Sequence, residues 1–253
     1  MRRVTIEGTL VARLIAPAAH RHALAAAVAC VLALPACRST EAPASSVPPP
    51  ASAESASTAT SPPRGTPQKA EIDHPAPDFT LDDLDGHPVT LSKLRGKIVV
   101  LEWFNPECPF VRAAHTKGSL VGAASRSMKR GVVWLAINSA GAGKQGSGFA
   151  KSADGGKRYG LTHPILLDER GEVGHRYGAT STPHMVVVDA NGVMVYRGAI
   201  DNSPDGEAES PMPPGSKLVR YVDLAIDDLV AGRAVGTKET KAYGCSVKYG
   251  DPS

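Results

Sequence analysis

Between residues 76 and 231 the chain alternates short apolar runs with polar breaks marked by glycine or proline, which is the pattern of an α/β domain. Ile98–Leu101 and Val132–Ile137 are compact β-branched runs and predict buried strands. Asp78–Leu81 and Val89–Leu91 predict two short strands around an Asp85-Gly86 turn, with Ser92 capping a brief helical turn before Gly96. Ile165–Leu167 and Met185–Asp189 predict further strands, and Asn191-Gly192 a hairpin turn into a return strand, Val193–Arg197. Helix is predicted from Pro109 to about Arg130 with an interruption at Gly118, around Phe149–Tyr159, and over Glu172–Tyr177, where Gly178 stops it. After an acidic, proline-rich loop (Asp201–Pro214), an amphipathic helix is predicted over about Lys217–Ala231. Its buried face would be Val219, Val222, Leu224, Ala225, Leu229 and Val230.

The flanks of this region differ in composition. Residues 1–37 carry Arg2, Arg3, Arg13 and Arg21 and then an Ala/Leu/Val run from Ala23 to Ala36, the plan of a secretory signal. The run is too short for a comfortable transmembrane helix, which needs about 20 residues. It ends Leu34-Pro35-Ala36-Cys37, which resembles a bacterial lipoprotein box with Cys37 as the lipidated residue, and so implies an exported protein anchored at the periplasmic face of a membrane. In residues 38–70, 25 of 33 residues are Ala, Ser, Pro or Thr, too few large apolar groups to build a core, so this segment is expected to be an extended, disordered tether. The expected organisation is therefore a signal over 1–37, a tether over 38–70, a folded domain over 71–235 and a tail over 236–253.

That address changes the charge and cysteine arguments. Four of the 28 basic and one of the 25 acidic residues fall in 1–37, leaving 24 of each beyond it. No basic stripe or motif points to nucleic acid. Cys30 lies in the signal and Cys37 is the lipidation site, so Cys108 and Cys245 are the remaining thiols, in a compartment where a disulfide could form. The glycine-rich stretch Gly141–Gly156 contains GAGKQGSG, but its lysine does not stand where a phosphate-binding loop requires one. It reads as a flexible loop entering a short helix.

Cys108 carries the chemistry. It follows the Ile98–Leu101 strand and an Asn105-Pro106-Glu107 break, and it precedes Pro109, a residue suited to the first turn of a helix. A helix N-terminus offers unpaired N–H groups and the positive end of the dipole, which favour thiolate over thiol. An ordinary thiol of pKa about 8.5 is only a few per cent ionised at pH 7, so a lowered value makes a nucleophile. A buried cysteine that merely packs is the alternative.

With APDFTLDDLDG, LSKLRGKIVVLEWF, a cysteine after strand and loop, and Thr182-Pro183 before the VVVD strand, residues 76–231 resemble the thioredoxin superfamily in its redoxin branch. The resemblance implies an α/β thioredoxin-like fold, a mixed central sheet flanked by helices, with Pro183 as a cis-proline facing Cys108. Two departures matter. Val111 stands where a Cys-x-x-Cys enzyme has its second cysteine, and Asn105 and Pro183 stand where a peroxiredoxin has its activating threonine and arginine. The chain is therefore similar to peroxiredoxin-like outliers, whose C-terminal signature KAYGCSVKYG also resembles.

The expected reaction is attack by Cys108 on a disulfide or a peroxide, with Cys245 arriving on a mobile tail to resolve the product and an external thiol reductant resetting the pair. Glu102 matches a buried acid that the resemblance gives as a proton acceptor, and Asn105 is a candidate to bond a substrate oxygen. Thr182, His184, Trp103 and Phe110 are expected around the substrate, Trp103 shielding the thiol and packing rather than doing chemistry, and His184 either stabilising the thiolate or standing as a satisfied or exposed histidine. His115 is two helical turns from Cys108, too far to pair with it directly. No cofactor and no metal are expected. A peroxidase proper is one alternative, and a non-enzymatic binding module or metallochaperone, with copper held by Cys108 and His184, is another.

Overall fold

A computed structural model describes residues 68–250; the predicted signal, Cys37 and nearly all of the predicted tether lie outside the described residues. Its centre is a five-stranded mixed sheet. In chain order the strands are β1 (Thr80–Asp82), β2 (Pro88–Thr90), β3 (Val99–Trp103), β4 (Val133–Asn138), β5 (Ile165–Leu167), β6 (Ser181–Thr182), β7 (His184–Val188), β8 (Met194–Gly198) and β9 (Cys245–Ser246). The helices are α1 (Pro109–Thr116), α2 (Ala123–Met128), α3 (Phe149–Tyr159), α4 (Glu172–Tyr177) and α5 (Tyr221–Val230). The central sheet runs β5-β4-β3-β7-β8, with β3, β4 and β5 parallel and β7 antiparallel to both β3 and β8. Two small pairs, β1–β2 and β6–β9, lie outside it. Among the described residues no helix is long and apolar enough to cross a membrane.

Strands β3 and β7 are buried along their whole length, so successive side chains feed two different cores. Leu101, Trp103, Val186 and Val188 join Phe79, Val173 and Tyr177 on one face. Val100, Met185 and Val187 join Ala114, Ala123, Val222, Ala225 and Ile226 on the other. Trp103, Trp134, Tyr177 and Tyr196 are almost wholly buried, and burying a large side chain stabilises by roughly 1.5–3 kcal/mol.

The predicted interruption of the long helix at Gly118 separates α1 from α2, with Gly118 against the backbone of Gly206 and Ala114, where no side chain fits. Other details differ from the sequence reading. Helix α5 begins at Tyr221 because the Asn202 side chain takes the Lys217 carbonyl and the Val219 N–H, which holds that stretch out of the helix. On α5, Leu224 and Val230 are exposed, and Ile226 takes a place in the core. Ala70, one residue before the expected start of the domain at 71, is buried, and its N–H bonds the Arg176 carbonyl at 2.9 Å.

Candidate active site

Cys108 is the N-cap of α1, in extended backbone conformation (φ −78°, ψ 125°), with Pro109 beginning the helix as the sequence predicts. Beyond β3, the Phe104 N–H bonds the Ile137 carbonyl at 2.8 Å, and the Cys108 N–H bonds the Asn105 carbonyl at 3.1 Å. The Thr182-Pro183 bond is cis. The Cys108 thiol donates to the Thr182 carbonyl at 3.1 Å, so the loop before α1 and the turn before β7 meet at this sulfur.

Cys245 reaches the same place from the tail. Strand β9 pairs antiparallel with β6, setting Cys245 opposite Thr182 and Ser246 opposite Ser181. Both cysteines are free thiols, Cys108 buried and Cys245 half-buried. The tail is docked rather than mobile. Val247 N–H bonds the Thr180 carbonyl, Gly141 N–H bonds the Lys248 carbonyl, and the Tyr249 hydroxyl bonds the Ala179 carbonyl. The Tyr249 ring stacks on His175 at 3.8 Å.

The two thiols are unequal. Burial pushes Cys108 up, but hydrogen bonding from the side chains of Cys245 and Thr182 and from the backbone N–H groups of Val111 and Cys245 outweighs it, leaving Cys108 below the ordinary thiol value. Cys245 is pushed up to about 11 by burial, by its hydrogen bond to Cys108 and by the charge there. Cys108 is therefore the more acidic thiol of the pair and Cys245 the less acidic.

The loop holding Cys108 is braced from below. The Asn105 side chain accepts the Glu107 N–H at 2.9 Å and donates to the Gln145 carbonyl at 3.0 Å. The Glu107 carboxylate accepts the Gly146 N–H at 2.7 Å and pairs with Lys151. The Tyr159 hydroxyl bonds the Pro106 carbonyl. Asn105 thus ties the Cys108 loop to the glycine-rich loop with one of its two amide N–H groups and its carbonyl oxygen. Gly146, at φ +75°, packs against its amide, where a side chain would collide.

Glu102 is fully buried on the face opposite Trp103, with one oxygen 2.6 Å from His115 Nε2 and the other accepting from Trp134 Nε1 at 2.9 Å. Burial pushes this carboxyl up, but the charge and hydrogen bond of His115 pull it below the ordinary range. His163 lines a small cavity of about 40 Å³ with Glu102 and His115, and burial lowers its pKa against the opposing pull of Glu102.

Trp103, Phe110 and His184, the other residues expected around the substrate, lie as follows. Trp103 is fully buried and donates to the Ser139 hydroxyl, so it packs rather than meets a substrate. Phe110 is half-buried and lies edge-on to Tyr243 of the tail. His184 is buried edge-on to Trp103, its ring nitrogens make no hydrogen bond among the described residues, and burial lowers its pKa to about 4. It is a neutral packing residue and supplies no positive charge to the thiolate. Sequence reasoning missed Tyr243, whose hydroxyl bonds buried Asp201 at 2.6 Å, and Tyr249. An aromatic residue close to Cys245 on either side was the available signal.

Comparison with known proteins places this arrangement. The Redoxin family model matches residues 71–212. Thiol-disulfide oxidoreductase ResA of Geobacillus thermodenitrificans is 35% identical over 118 residues, and that of Geobacillus kaustophilus 36% over the same length. In each case the match covers 46% of this chain and 63% of the relative, less than two thirds of the relative's length. Among solved structures, a hypothetical protein from Sinorhizobium meliloti 1021 superposes with a TM-score of 0.63 at 26% identity, covering 73% of this chain and 98% of that one. An uncharacterized conserved protein from Geobacillus kaustophilus gives the same TM-score at 29% identity, covering 72% and 94%.

Proposed function

The chain belongs to the redoxin family, and from that membership we propose a thiol-disulfide oxidoreductase whose redox pair, Cys108 and Cys245, is assembled from opposite ends of the domain. The observation that carries this reading is the register of β9 on β6, which sets Cys245 opposite Thr182, the residue whose carbonyl contacts the Cys108 sulfur. Val111, the position three residues on, is fully buried and offers no thiol. The tail supplies the second sulfur instead.

In the reducing direction the Cys108 thiolate attacks one sulfur of a substrate disulfide. A Cys108–substrate disulfide forms and the other substrate sulfur leaves as a thiolate. Cys245 then attacks the Cys108 sulfur, releases the remaining substrate thiolate and closes a Cys108–Cys245 disulfide. With a peroxide, Cys108 takes one oxygen to become a sulfenic acid as hydroxide or alkoxide leaves, and Cys245 condenses with it, releasing water. An external thiol reductant returns two electrons and two protons.

The pair times itself. While Cys108 is a thiolate, its charge and hydrogen bond hold Cys245 protonated. Once Cys108 is oxidised, both effects vanish, and Cys245 becomes easier to ionise when its attack is needed. The sequence of residues 1–37 supports, in addition, export and membrane anchoring through a lipid on Cys37.

The test is intact-mass analysis and peptide mapping of the purified chain after treatment with a reductant, hydrogen peroxide and a model disulfide, with thiol alkylation after each. Loss of two hydrogens with a linked Cys108–Cys245 peptide is the expected result. A lasting Cys108 adduct with Cys245 still alkylatable would remove the tail from the cycle. Complete inertness of Cys108 would favour a binding module.

A further inference from the structure

Cys108 is only 1% exposed, packed in a cluster with Phe104, Val111, Ala136 and Ile165 on which Cys245 of the chain's own tail also closes. The backbone edge beside the sulfur is Ser181–Thr182, and its pairing capacity is taken by Cys245–Ser246. A polypeptide carrying a disulfide to a buried thiol docks most readily as an added strand on such an edge, and here that place is filled.

The tail is fastened on both sides of Cys245. Upstream, Thr240 bonds Arg197 through the backbone, its hydroxyl takes the Ala199 N–H, and Tyr243 bonds Asp201. Downstream are the Val247, Lys248 and Tyr249 bonds described above. The seat is cut to fit: Gly141 lies in contact distance of Gly250, Gly174 of the Tyr249 ring, and Gly244 of the Thr182 carbonyl, each where a side chain would collide.

We infer that the docked tail, residues 244–250, sets substrate size at Cys108, admitting small oxidants such as a peroxide or a short alkyl disulfide and excluding disulfides carried by polypeptides. The inference rests on Cys108 being redox-active, as proposed above. A small oxidant needs a gap of a few atoms, which rotation of the half-buried Cys245 side chain opens. A polypeptide needs the β6 edge, and therefore needs the whole fastening undone.

Gly141→Ala tests this without touching either cysteine. Gly141 is outside the left-handed region, so alanine suits its backbone, and the atoms nearest its added methyl belong to the tail at Tyr249 and Gly250. A second variant, truncated after Lys241, removes the tail should Gly141→Ala fail to fold. Consumption of the Cys108 thiol would be followed by quenched alkylation and mass spectrometry with hydrogen peroxide, bis(2-hydroxyethyl) disulfide and insulin as oxidants. Full-length Cys245→Ser serves as a control that keeps the tail and loses its thiol.

The expected result is at least a tenfold gain, for either undocked variant, in the ratio of the insulin rate to the hydrogen peroxide rate, a ratio from which any change in Cys108 ionisation on losing the Cys245 donor cancels, while Cys245→Ser still excludes insulin. An insulin-to-peroxide ratio in the unaltered chain within threefold of that in both undocked variants would overturn the size filter and leave the two-cysteine cycle standing. A Cys108 inert to all three oxidants in every variant would overturn both.

Discussion

His115 Nε2 lies 2.6 Å from Glu102 Oε1, and neither side chain is more than 5% exposed, so the helix that begins at Cys108 is anchored to β3 by a buried hydrogen-bonded contact. Trp134 completes the carboxylate's hydrogen bonding. Removing one member of such a pair strands the other in a low dielectric, at a cost of about 3–5 kcal/mol.

Glu102→Gln and His115→Ala are therefore each expected to lower unfolding stability by about 3–5 kcal/mol in urea titrations, while the Cys108 alkylation rate at pH 7 stays within about threefold, because neither residue bonds the thiol pair. The folded Glu102 carboxyl sits below its ordinary value, so its contribution is full above the ordinary glutamate range and is lost as pH falls through the folded value. A loss under about 1 kcal/mol in both variants would mean that the contact is incidental.

The strand, loop and helix that deliver Cys108 were readable because each rests on a local signal: a β-branched run, an Asn-Pro break, a proline in the first turn. Helices α3 and α4 match their predicted bounds for the same reason, with Gly160 and Gly178 in left-handed conformation closing them. Strand β9 was not readable. It is two residues long and formed wholly by pairing with β6, more than 60 positions earlier, so no periodicity announces it. The bracing role of Asn105 was unreadable for a related reason. Its partner Gln145 belongs to a glycine-rich loop whose path depends on tertiary contacts.

Asn105→Ala removes both side-chain bonds of that brace and leaves the Glu107 N–H and the Gln145 carbonyl without their partners. A destabilisation of about 1–3 kcal/mol is expected, together with hydrogen exchange that rises in 105–108 and 141–148 at the same time. Faster exchange confined to one of the two segments would refute the coupling.

His184 makes stability depend on pH in a known direction. Its folded pKa is about 4 against an ordinary 6.5, so below pH 6.5 the unfolded chain takes up a proton that the folded chain refuses. Stability should fall by roughly 3 kcal/mol between pH 6.5 and 4 from this residue alone and level off below that. His184→Phe keeps an aromatic ring against Trp103 and removes the titrating group. The acid-side slope of its urea-derived stability should flatten over that window, and an unchanged slope would assign the dependence to other groups.

The Cys108 thiolate owes part of its stability to the Cys245 side chain, the first of the favourable contributions that outweigh its burial. Cys245→Ala deletes that donor and leaves Thr182 and the helix N-terminus in place. A lost hydrogen bond to the charged form moves the pKa up, so thiolate absorbance near 240 nm should titrate at higher pH in the variant, and alkylation at pH 7 should slow several-fold. Cys245→Ser retains a hydroxyl donor and should fall between the two while still failing to form the disulfide. That ordering separates two roles of one residue: donation to the thiolate, which serine keeps in part, and resolution, which only sulfur performs. A titration midpoint that stays put in the alanine variant would show that the helix N-terminus alone holds the thiolate, and that the tail thiol acts only after Cys108 has reacted.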